Sequence, residues 1–366
     1  MNYFDIFKKL KLVLLAPLGY LIFFISSFFP GAVENLYSNG IFRLITRVLS
    51  ILTGYIPFSV AEFIYVSVII FVLIKLILMI IKIFKCPSQT FKTISNQLVN
   101  AIVAISIIYF SFILLWGINY QRLPFGETAN LDTSPASIEE LAIVCENLLS
   151  EANYLRDLVE EDENGVMKLS SDKQSTLKRA HLGFDKAADY YPTLYGKYGR
   201  PKGIILSELM SYSGIGGVYF PFTGEANVNI SVPHSTIPFT TCHEIAHQIG
   251  YAREDEANFI GYITCKFHPD IDFQYSGTLL ALRYATSALF AHNPERFQSI
   301  RDNYSDGVLR DLRAISAYWQ KYETPVQEIS SSINDTYLRA NMQKDGIQSY
   351  GRMVDLLIAE HRKYNN

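Results

Sequence analysis

Residues 240–262 read TTCHEIAHQIGYAREDEANFIGY. This stretch decides the fold of the soluble part of the chain, because it carries HExxH at His243–His247. On a helix, residues four apart share a face, so the imidazoles of His243 and His247 can reach one metal ion. Glu244 follows the first histidine directly and projects toward a metal-bound water, as a general base would. Ser235, Thr236 and Pro238 predict the start of this helix and Gly250 its end. A zinc site needs a third protein ligand. Just past Gly250, Arg253-Glu254-Asp255-Glu256-Ala257-Asn258 reads as the first turn of a second helix. Glu254 is the leading third ligand and Glu256 the alternative. Asn258, four residues past Glu254, is placed to hydrogen-bond a ligating histidine.

Outward from the motif the composition divides. The chain of 366 residues is 49% hydrophobic and 18% charged, and the apolar excess lies before about residue 120. Three stretches have the length a bilayer crossing needs: residues 12–29, 63–83 and 99–116. The first has no small-x-small site after it and reads as an uncleaved anchor. Lys8, Lys9 and Lys11 precede it, and Lys82, Lys85 and Lys92 lie between the other two. Positive charge stays on the cytoplasmic side. The predicted topology is therefore a bacterial inner-membrane protein with a cytoplasmic N-terminus, three crossings and a periplasmic C-terminal domain. Lys75, inside the second stretch, reads as a side chain snorkelling to the cytoplasmic end. Residues 41–52, IFRLITRVLSIL with Arg43 and Arg47, predict an amphipathic helix on the membrane surface.

The domains expected are thus a membrane domain over 1–119 and an extracytoplasmic domain over 120–366. In the second, Ser137 and Glu140 have capping-box spacing at a helix start. Another helix is predicted from Asp172 to Tyr190. GIILSEL, GGVYFPF and ANVNISV, within 203–232, read as strands. Helical patterns dominate from Pro238 onward. The fold class is α+β, mostly helical, with a small sheet.

Two resemblances follow from these residues. HExxH followed by Glu254, Ala257 and Asn258 resembles the zinc metallopeptidases of the gluzincin type, whose membrane-bound members carry Glu-x-x-Ala-Asp on the helix of the third ligand. Here Asn replaces Asp, and the interval from His247 is short. The spans, with PFTGEANVN (221–229), HEIAHQIGYAREDEANF (243–259), NDTYL (334–338) and SYGR (349–352), also resemble a bacterial membrane family labelled domain of unknown function 3810. The resemblances imply a zincin-like domain and grouping with HExxH peptidases, with no known substrate.

In HExxH peptidases an edge strand just before the metal helix pairs with the substrate backbone. Ala226, Asn227, Val228 and Asn229 are the candidates. Arg283, Tyr337 and Tyr350 are candidates to stabilise an oxyanion. His234 reads as exposed and Cys242 as a small buried residue. Four cysteines without CxxC spacing indicate neither a zinc ribbon nor a redox pair. A net charge of −3 with no basic stripe argues against nucleic acid as a partner. The function expected is hydrolysis of a peptide or protein substrate at the bilayer by a Glu-activated, zinc-bound water. The alternatives are a zinc-retaining binding or signalling module, or a hydrolase of another amide such as one in cell-wall material.

Overall fold

The computed structural model describes residues 9, 11–343 and 346–365; Lys8 lies outside them. The chain begins with α1 (Leu15–Ser26), which ends in a turn at Ser27–Phe29. Counted from Lys11 this helix has 16 residues, about 24 Å at 1.5 Å each, short of a ~30 Å hydrocarbon core. At the turn the chain bends by 102° into Pro30–Gly54. The stretch expected as a first span is thus one arm of a bent pair. Two helices are long and apolar enough to cross a membrane: α3 (Val60–Lys85) and α4 (Thr90–Leu115). Lys75 lies on α3 with its ammonium 5.3 Å from the Phe71 ring centroid.

The second arm of the bent pair contains a π-helix, Val33–Phe42, and then α2 (Arg43–Gly54). The amphipathic helix expected here is present, with its faces turned in a telling way. Thr46 and Ser50 are buried against the rest of the protein, while Leu44, Val48, Ile51 and Leu52 are exposed. Thr46 Oγ1 is 2.9 Å from the Tyr219 hydroxyl, and Ser50 Oγ accepts from the Gly199 amide at 3.0 Å. The polar stripe of α2 is spent on the protein, and its apolar stripe faces outward.

The larger body is mostly helical. A capping box at Ser137 and Glu140 opens α5 (Ile138–Arg156). The helix expected over Asp172–Tyr190 is two helices, α6 (Lys173–Arg179) and α7 (His181–Ala187). The break seats Gly183 on the carbonyl of Thr264, where a Cβ would meet the oxygen at 2.1 Å. A short hairpin pairs β1 (Glu160–Glu161) with β2 (Met167–Lys168). The main sheet holds β3 (Lys202–Gly203), β4 (Gly217–Phe220) and β5 (Glu225–Val228) in the order β3-β5-β4. β5 runs parallel to β3 and antiparallel to β4.

GIILSEL is a strand only at its first residue. The Glu62 carboxylate of α3 accepts from the amides of Ile205 (3.0 Å) and Leu206 (2.7 Å), and the chain turns into a short helix, Ser207–Tyr212. Those amides are satisfied by a side chain, so no ladder forms there. Behind the sheet stand α8 (Ile237–Gln248), α9 (Glu254–Lys266) and α10 (Ile271–His292), packed as the centre of the apolar core. α11 (Asp306–Gln320), α12 (Pro325–Ala340) and α13 (Met353–Asn365) complete the chain.

The line drawn at residue 119/120 marks a change of composition and not of packing. Glu225, at the start of β5, accepts from the first amides of α3: Val60 (3.1 Å) and Ala61 (2.8 Å). Ser59 donates to Asn227 Oδ1 at 2.7 Å. Arg122 forms a buried pair with Glu34 (2.7 Å) and donates to the Gly250 carbonyl at 3.0 Å. The segment around residues 30–62 is part of the body that carries HExxH.

Candidate metal centre

The helix α8 begins where its sequence signals place it, after a 3-10 turn over His234–Thr236 and with Pro238 in its first turn. It ends at Gly250, whose φ of +100° a side chain would strain. The amides of Gly250 and Tyr251 bond back to His247 O (2.8 Å) and Ala246 O (3.0 Å), which reverses the chain within a few residues. Glu254 then opens α9 directly alongside the histidines. The two helices approach closely at Gly261, where a Cβ would meet His243 N at 3.3 Å.

This hairpin brings three ligand atoms to one point. His243 Nε2 lies 3.3 Å and His247 Nε2 3.5 Å from Glu254 Oε2. Donors about 2.0–2.1 Å from a tetrahedral zinc stand roughly 3.3–3.4 Å from one another, so the spacing fits such an ion. The hydrogen bonding fits as well. His247 Nδ1 donates to the Tyr251 carbonyl at 2.7 Å, which leaves the Nε2 lone pair facing the centre. Glu254 Oε2 and Glu244 Oε2 are buried without a hydrogen-bond partner among the described residues. Glu256 is elsewhere: its Oε1 accepts from the amide of Phe125 (2.7 Å) and from Arg253 (2.9 Å).

The charges of these side chains alone are strongly coupled. Burial would draw the His247 ring below its ordinary value, but the Glu254 carboxylate outweighs it and lifts the ring to about 9. Burial would raise Glu254, yet His247 and His243 hold it well below the usual carboxylate range. Glu244 is pushed up to about 7 by burial, against the pull of the two histidines. A carboxyl group near neutrality is suited to taking and returning a proton.

The centre lies in a cleft of about 770 Å³. One wall is β4, which pairs with β5 on one side only. This corrects the expected substrate strand. Ala226, Asn227 and Val228 belong to the central strand with both neighbours in place, and Asn229, just past it, is fully buried. The open edge beside the metal ligands is one strand earlier in sequence. The alternation of small and apolar residues in ANVNISV reads as a strand but does not distinguish an edge from a centre.

Gly217 of β4 lies against Glu244: a Cβ there would sit 2.4 Å from Oε1 and 2.6 Å from Cγ. Its only sequence signal is the pair Gly216-Gly217 at the start of an apolar run. Asn258 lines the cleft and hydrogen-bonds with Tyr284. Arg283 and Tyr337 also line it; the side chain of Tyr350 lies outside those described. Tyr337 accepts from the Tyr120 hydroxyl at 3.0 Å and from the Trp116 indole. Its own hydrogen is left to donate into the cleft. Burial raises its phenol to about 12, which keeps that hydrogen in place.

Trp116, the last residue of the third apolar stretch, stands edge-on to His247 with centroids 5.8 Å apart. His234 is half-buried, contrary to expectation, with Nδ1 accepting from the Leu169 amide at 3.2 Å. Cys242 is buried beside Cys265, and the described cysteines are all free.

A family model described as "Protein of unknown function (DUF3810)" matches residues 37–358. The chain belongs to the DUF3810 family. No curated protein and no solved structure matches it. The match spans the second arm of the bent pair, both long apolar helices and the metal hairpin. The DUF3810 unit therefore includes both long apolar helices as well as HExxH, in agreement with the packing across residue 120.

Proposed function

We propose that this protein is a membrane-anchored zinc metallopeptidase of the zincin type, related to the gluzincins. The observation that carries the reading is the convergence of His243 Nε2, His247 Nε2 and Glu254 Oε2, with Glu244 beside them in an open cleft and its Oε2 without a hydrogen-bond partner among the described residues. A zinc ion held by those three residues supplies Lewis-acid polarisation of a carbonyl and lowers the pKa of a water toward neutrality. Glu244 takes the proton from the attacking water and returns it to the leaving amine. The open edge of β4 aligns the substrate backbone by ladder hydrogen bonds. Tyr337, held by Tyr120 and Trp116, donates to the oxygen on which negative charge develops. The Tyr251 carbonyl fixes the His247 ring throughout.

The placement that goes with this activity is the bacterial inner membrane, crossed by α3, α4 and the bent N-terminal pair. Lys82 and Lys85 lie at the end of α3 remote from the cleft, and this distribution of positive charge supports a cleft on the periplasmic side.

The test uses the full chain purified in detergent. Wild type and Glu244→Gln are expected to hold one zinc each, and His243→Ala little. Peptide-library cleavage should fall by about 10²–10⁴ in Glu244→Gln, the usual contribution of a general base. Equal cleavage by wild type and Glu244→Gln, or no zinc under metal-replete conditions, would remove the proposal.

A further inference from the structure

The cleft does not stand clear of the membrane helices; they form part of it. Tyr65, in the second turn of α3, and Phe112, in the last turn of α4, both line it, as does Trp116 immediately beyond α4. Tyr65 packs on Phe220 of β4 with centroids 5.2 Å apart, and Trp116 packs on Tyr219 at 4.8 Å. Trp116 also touches the His247 ring. A peptide bond at the metal centre therefore sits about one aromatic ring away from the end of a span.

The two helices that border the cleft present their apolar surfaces outward. None of the apolar window of α3 is buried, and little of that of α4. One and two turns inward from Tyr65, the residues on the same side of α3 are Val68, Ile69 and Val72, all exposed. From Phe112 the corresponding residues of α4 are Ile108 and Ile105, also exposed. Exposed apolar residues of both helices thus lead away from the cleft toward the middle of each span. On the far wall α12 carries Val326, Ile329 and Ile333 as an exposed stripe at helical spacing, and Ile333 reaches the cleft. Beside the start of α3, Ile205, Leu206 and Leu209 are exposed as well. This apolar rim matches a surface lying against lipid and does not match the polar rim of a site that takes soluble peptides.

We propose that the substrate is a polypeptide anchored in the same membrane, entering sideways between α3 and α4 and cut just outside its anchor. The proposal rests on the metallopeptidase reading and specifies the substrate of that site. The headgroup zone on each side of a bilayer is about 5–8 Å deep, and an extended chain rises about 3.3 Å per residue. The scissile bond is then expected about two to three residues from the apolar anchor. A transmembrane helix and an acyl chain both provide such an anchor.

The experiment compares one randomised peptide library in three forms: free, joined to a transmembrane helix, and joined to an acyl chain, the last two through a spacer of about two to three residues. The enzyme is the zinc-loaded full chain in nanodiscs of phosphatidylethanolamine and phosphatidylglycerol, with Glu244→Gln as the blank. Cleavage of either anchored library at least about tenfold faster than the free one is expected, as a shared surface raises effective concentration and orients the substrate. Which anchor is preferred tells the two sources apart. Ile108→Trp, which adds bulk on the proposed path between α3 and α4, should slow the anchored reaction by about tenfold while zinc content stays at one. Equal rates on free and anchored libraries would overturn this inference and leave the peptidase reading standing. No cleavage of any library by zinc-loaded enzyme would count against the peptidase reading itself, and this inference would fall with it.

Discussion

Glu244 is held by a glycine. Gly217 has no side chain where the carboxylate lies, and a methyl group there would occupy the same space. The three atoms nearest to a Cβ at that position all belong to Glu244, and none to the candidate ligands His243, His247 and Glu254. Gly217→Ala is therefore expected to keep one zinc per chain and to lose activity by roughly 10²-fold, as misplacement of a reacting group by about 1 Å does. Metal content and turnover on the same preparation check it; full activity in the alanine variant would show that the carboxylate has another place to go. HExxH was legible as two histidines on one helix face with Glu244 beside them, because four-residue spacing on a helix is a local property. Glu254 was the leading candidate for third ligand, with Glu256 left open as the alternative. Both lie in the first turn of α9, and only the packing of Phe125 and Arg253 against Glu256 separates them.

At the scale of elements, the N-terminus of α3 shows how membrane helix and sheet are joined. The Glu225 carboxylate, itself buried, accepts from two leading amides of the helix and from Thr223 at 2.9 Å. Removing it in Glu225→Ala leaves buried donors unsatisfied. The expected loss is about 1–3 kcal/mol, read as the denaturation midpoint of the full chain in detergent. A shift under about 0.5 kcal/mol, the range of an unremarkable surface change, would mean that water replaces the carboxylate. The boundaries of α8 and the start of α5 were readable from caps and a terminal glycine. The central place of β5 was not. Edge and centre differ by which neighbour fills the second row of hydrogen bonds, and that neighbour, β3, is only two residues long.

For the molecule as a whole, the N-terminal segment is clamped to the body that carries HExxH by the Arg122–Glu34 pair, almost wholly out of solvent. Arg122→Ala strands a buried carboxylate, and a loss of about 3–5 kcal/mol is expected. The double replacement Arg122→Met, Glu34→Leu should recover most of it, since no uncompensated charge is then left. If the double variant is as unstable as the single one, the pair is not what joins the segments. Topology has an equally direct test. Cys86, in the turn between α3 and α4, is exposed, while the other three cysteines are buried. In intact spheroplasts a membrane-impermeant maleimide should leave the chain unlabelled and should label it only after permeabilisation. Labelling before permeabilisation would invert the proposed orientation.

By itself, the sequence determined the properties that depend on neighbours along the chain: the apolar lengths of α3 and α4, the helix that carries His243 and His247, its stop at Gly250, and the mostly helical character of the remainder. Tertiary structure decided what depends on residues far apart. It selected Glu254 over Glu256 and made β4 the open edge. It bent the first apolar stretch, and it built residues 30–62 and Trp116 into the body that holds the metal centre. The physical reason is the range of the forces. Helix periodicity and capping act within a few residues, whereas buried charge pairs and strand neighbours join groups as distant as Glu34 and Arg122, or Ala61 and Glu225.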